Sequence, residues 1–201
     1  MIKKEKRTKM MISNLCSKIA QFAEVSSEQE EVFEYIVKCF VEKAVVFITI
    51  LLYGYLRNNV LQVLVFYIFC MLIRKHSGGL HMNTFYKCYI GSVLLVIGMT
   101  ELNNMFNIKG CFWLVFIINL ICAVIVMVIG CVNNPELDLT TEELKYNKEQ
   151  TRQTILIIEF IIMISYILTV KKIYIALCCE AVICCSVLLV IAKLIGQEIK
   201  E

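Results

Sequence analysis

This chain has very little with which to turn. It holds one proline and eight glycines in 201 residues, and only 18% of its residues carry charge. A β-barrel needs frequent turns and an alternation of apolar and polar residues over stretches of about ten, and neither is present. A hydrophobic content of 59% is also too high for a soluble domain, where apolar usage is about 45–50%. Histidine is scarcer still, with two in the whole chain. Cysteine is plentiful at eleven, yet no pair has C-x-x-C spacing, so zinc and dithiol redox motifs gain no support. No secretory signal is evident, because a polar stretch follows the basic N-terminus where an apolar segment would lie. No metal, cofactor or nucleic-acid partner is expected.

Long apolar runs are what the chain has in abundance. They cover roughly residues 44–56, 60–73, 89–106, 111–132, 154–170 and 173–195. Such runs point to an all-α, polytopic membrane protein. Six crossings is the count they support best. The first two runs are shorter than the ~20 residues that cross hydrocarbon, so four full crossings with a shallow pair is the alternative. Cys70, Cys122, Cys178, Cys179, Cys184 and Cys185 lie inside the runs and read as small hydrophobes. The organisation is a basic tail over 1–26, carrying Lys3, Lys4, Lys6, Arg7, Lys9 and Lys18, followed by a single membrane-embedded domain over 27–201. The tail is either a topology signal or a surface for anionic lipid or an acidic peptide.

Ser27-Glu28-Gln29-Glu30 has the S-x-x-E spacing of a capping box and predicts a helix start. Val32, Phe33, Ile36, Val37, Phe40 and Val41 suit one face of that amphipathic helix, which would lie on the membrane before running into it. Arg57-Asn58-Asn59 allows only a tight hairpin between the first two runs. With the N-terminus inside, the inner segments collect the basic tail, Arg74, Lys75, Lys87, Lys145, Lys148, Arg152 and Lys200. Arg57, Lys109, Lys171 and Lys172 are left outside. That balance places both termini, residues 74–87 and a loop over 133–152 in the cytoplasm.

The reactive groups gather in "IRKHSGGLHMNTFYKCYI", residues 73–90, which holds both histidines. A thiolate at Cys88 is a candidate nucleophile, and the imidazole of His81 can generate it and later protonate a leaving amine. Seven residues of straight helix would separate the two by about 10.5 Å, too far for direct pairing. If they cooperate directly, the chain must bend between them. Gly78-Gly79 frees the backbone, and Asn83 or Thr84 can cap a new helix. With Thr84 as the cap, Cys88 falls at a helix start, where the dipole and Lys87 would favour its thiolate. The plain alternative is a cytoplasmic turn decorated by His76 and His81, with Cys88 as another small hydrophobe. A metal site of His76, His81 and Cys88 lacks an obvious fourth ligand. Arg74 either meets a developing oxyanion or an acidic residue of a substrate, or snorkels at a helix end. Glu159 and Glu180 sit within apolar runs and demand partners; either could orient His81.

Arg74-x-x-x-Gly78-Gly79-x-His81-x6-Cys88 resembles the R-x3-G-G-x-H-x6-C signature of the accessory gene regulator B (AgrB) membrane peptidases of Gram-positive bacteria. Val132-Asn133-Asn134-Pro135 with Leu139 is similar to the family's V-x-N-P-x-K-P-L stretch, with Leu137-Asp138 in place of Lys-Pro. The resemblance implies a bacterial cell-membrane cysteine endopeptidase acting on an AgrD-like propeptide, with Cys88 as nucleophile and His81 as base and then acid. It also implies cyclisation of the signal segment to a thiolactone or lactone, and a homodimer. Gly78 and Gly79 would serve as hinges and Arg74 as a substrate or oxyanion contact. A peptide transporter or exporter component is the competing class, and a non-catalytic scaffold is a further one.

Overall fold

The computed structural model describes residues 27–80, 85–108, 110–133 and 139–196. Among them are six helices and no strands: α1 (Ser27–Leu56), α2 (Val60–Ser77), α3 (Phe85–Ile108), α4 (Phe112–Ile129), α5 (Thr141–Ile167) and α6 (Lys172–Leu194). The all-α expectation is met. By length and composition α2, α4 and α6 can each cross a membrane. The basic tail over 1–26 lies outside the described residues.

The chain divides into compact units at residues 1–49 and 50–201. Of the first, the helix from Ser27 to Thr49 is described. The helix runs without a break through the first apolar stretch.

The second unit is a bundle around α6. That helix packs on α4 and α2 most extensively, and on α3 and α5 as well. Ile175 through Val182 are buried without interruption, as befits a helix enclosed on all sides. The outer faces are apolar instead. Trp113, Ile117, Ile121, Val128, Leu156, Phe160, Met163 and Ile167 are all exposed. Contiguous apolar surface of this kind is suited to lipid rather than water.

The α1–α2 hairpin depends on two backbone demands. Asn58 adopts φ 56°, a left-handed conformation that asparagine tolerates. Asn59 N–H then donates to the Gly54 carbonyl at 2.8 Å. The helices approach so closely that a Cβ on Gly54 would lie 3.0 Å from the Val60 Cα. Glu101 of α3 closes this end, where its Oε1 accepts from Tyr53 Oη at 2.6 Å and from Arg57 Nε and Nη2 at 3.1 and 2.9 Å.

Residues 133–152 were expected as a loop, and the structure corrects this. Helix α5 begins at Thr141, thirteen residues before its apolar run, with Thr140 as N-cap in a full capping box with Glu143. The polar stretch is helix that packs against the end of α2, and a hydropathy reading alone registers it as loop.

Candidate active site

The site end of the bundle is built where α2 stops. Its last turn carries Arg74, Lys75 and His76, and Gly78 caps it at φ 68°. Gly79 follows at φ 125°, a conformation that side chains with a Cβ rarely adopt. The Arg74 guanidinium lies over this turn: a Cβ on Gly79 would be 3.8 Å from its Nε and Nη2. Arg74 Nη2 also donates to the Leu80 carbonyl at 3.2 Å. Arg74 therefore holds the turn that leads to His81. The helix ends at the glycine pair, ahead of His81.

His81 itself lies outside the described residues, as do Asn83 and Thr84. Helix α3 begins at Phe85, which makes Cys88 its fourth residue. Cys88 is exposed, while Cys70, Cys122, Cys131, Cys178, Cys179, Cys184 and Cys185 are buried and Cys111 is intermediate. Of the cysteines so described, Cys88 alone is exposed. Buried thiols are inert packing groups. Cys70 and Cys185 illustrate this, with their sulfurs 3.9 Å apart between α2 and α6.

Two further segments close around the α2 terminus. Val132 N–H donates to the Ser77 carbonyl at 3.1 Å, joining the glycine motif to the second stretch singled out in the sequence. Asn133 clamps the following loop, donating from Nδ2 to the Leu139 carbonyl and accepting from its N–H, both at 3.0 Å. The Leu137-Asp138 departure falls outside the described residues. From α5, Asn147 Oδ1 lies 3.2 Å from His76 Nδ1. Tyr146 meets the same ring edge-on at 6.5 Å. Sequence reasoning missed this His76–Asn147 contact, whose members are far apart in the chain. Ser77 Oγ is fully buried without a hydrogen-bond partner among the described residues.

The two intramembrane carboxylates are engaged elsewhere. Glu159 accepts from Asn119 Nδ2 at 3.0 Å on both oxygens, and Glu180 accepts from Asn103 Nδ2 at 3.1 Å. Each pair joins neighbouring helices, α4 to α5 and α3 to α6.

Helices whose apolar faces point outward and whose polar groups pair inward define an integral membrane protein. The chain belongs to the accessory gene regulator B (AgrB) family, whose profile matches residues 9–193. No curated protein and no solved structure matches the chain. Family membership places it in accessory gene regulator quorum-sensing processing, in association with an AgrD propeptide and the membrane.

Proposed function

We propose that the protein is a membrane cysteine endopeptidase that removes the C-terminal tail of an AgrD-like propeptide and cyclises the signal segment. The observation that carries this is Cys88, exposed in the first turn of α3, the helix that follows the break at Gly78-Gly79 in the chain. In the first step His81 takes the Cys88 proton, and the sulfur bonds to the carbonyl joining signal segment to tail. The C–N bond breaks, His81 returns the proton to the leaving amine, and a thioester on Cys88 remains. In the second step a cysteine or serine of the signal segment gives its proton to His81 and attacks that thioester. Cys88 leaves and recovers the proton, so the enzyme is regenerated.

Thioester exchange is nearly balanced, so proximity and exclusion of water decide between cyclisation and hydrolysis. A site at the end of an apolar bundle favours both. Arg74 supports the turn before His81, and its other donors remain for a substrate carboxylate or the developing oxyanion. The reading is tested by incubating the protein in liposomes with a propeptide bearing a central Cys or Ser. Mass spectrometry should show free tail together with leader–signal product lighter by one water than the hydrolysed form. Intact propeptide after prolonged incubation would contradict the reading.

A further inference from the structure

We propose that Asn103 and Glu180 form an acid–amide pair that binds one proton inside the bundle, on Oε2 of Glu180. Both side chains are almost wholly buried, at 1% and 4% exposure. One bond joins them, from Asn103 Nδ2 to Glu180 Oε1 at 3.1 Å. The other oxygen of each group, Asn103 Oδ1 and Glu180 Oε2, has no hydrogen-bond partner among the described residues. An amide oxygen and an ionised carboxylate both only accept, so two acceptors are left without a donor where no bulk water reaches. A single proton on Oε2 turns one of them into a donor for the other and closes a two-bond ring between the side chains.

The charge around the pair points the same way. No Lys, Arg or His bonds to Glu180 among the described residues. The cations on the helices packed here are engaged elsewhere, Arg57 with Glu101, Lys172 over the Phe112 ring and Arg74 with the Leu80 carbonyl. A lone carboxylate in an apolar bundle is expensive, whereas a neutral acid paired with an amide is not. The pair joins α6 to α3 fifteen residues beyond Cys88, about 22 Å along the helix at ~1.5 Å per residue. It is thus a second polar site, separate from the thiol, and it fixes the helix on which the thiol stands.

Infrared spectroscopy of the full chain in bilayers at pH 7 tests this directly. The difference between wild type and Glu180→Gln should show a protonated carboxyl C=O band present in wild type and lost in the variant. Glu159→Gln should leave that band in place. Gln can donate from Nε2 where the acid donates from Oε2, so Glu180→Gln should keep its thermal midpoint within about 2 °C, whereas Asn103→Leu should lower it by several degrees. A carboxylate band lost in place of the acid band would overturn the proposal. Failure of Glu180→Gln to fold would do the same, since the neutral isostere should preserve the ring. The Cys88→Ala protein should give the same acid band, so the result is independent of the peptidase reading.

Discussion

Gly79 concentrates the residue-scale argument, because its backbone and its surroundings make separate demands. Its φ of 125° belongs to glycine, yet the space where a Cβ would go is open, with Arg74 atoms no closer than 3.8 Å. Gly79→Ala therefore introduces backbone strain without a clash, on the order of 1–3 kcal/mol. The variant should accumulate in membranes nearly as wild type does but process propeptide about 5- to 150-fold more slowly, if the turn relaxes to escape the strain. Processing at the wild-type rate, normalised to membrane-inserted protein, would show that this conformation is not needed. The glycine pair was legible in the sequence because such pairs announce a bend. The roles of Arg74 and His76 were not, since one depends on the Leu80 carbonyl and the other on Asn147, in a segment read as loop.

At the scale of elements, the start of α5 is held by a titratable contact. The Thr140 N–H, and after it the Thr140 hydroxyl, keep the Glu143 carboxyl below its usual range. The ionised form accepts both bonds, the N–H at 3.0 Å and the hydroxyl at 2.9 Å. The contribution to helix stability is therefore fully present above the ordinary glutamate value of about 4.3 and is lost as pH falls through the lower folded value. Nuclear magnetic resonance should give a Glu143 midpoint below about 4.3, and Thr140→Ala should move it upward. A wild-type midpoint at or above that value would contradict the capping account. At Ser27, S-x-x-E precedes an apolar run and so reads as a helix start in the sequence. The T-x-x-E at Thr140–Glu143 carries the same signal, but a polar stretch follows it, and hydropathy outweighed it. The Asn partners of Glu159 and Glu180 had no local signature, because both pairs join helices distant in sequence.

For the whole molecule, lipid-suited faces and inward-paired carboxyls agree with the all-helical membrane fold that long apolar runs foretold. Orientation rests on the Lys/Arg balance, and we propose the site end of the bundle to be cytoplasmic. Exposed positions at the two ends offer the check. In a Cys88→Ala background, Lys75→Cys and Lys145→Cys should react with an impermeant maleimide only in inverted vesicles. Lys171→Cys should react in intact cells. The opposite pattern would reverse the topology and move the proposed site outside.

The central claim is that Cys88 becomes acylated. A propeptide whose ring-forming Cys or Ser is replaced by Ala cannot complete the second step, so its signal segment should accumulate on the protein. Mass spectrometry of the acid-quenched, proteolysed protein should find the leader–signal acyl group on the peptide containing Cys88, sensitive to hydroxylamine as a thioester is. Cys88→Ala should carry no adduct and release tail at least about 10³-fold more slowly, as expected for loss of a nucleophile. Cys184→Ala and Cys185→Ala should still form the adduct. An adduct on another residue, or wild-type tail release by Cys88→Ala, would contradict the account.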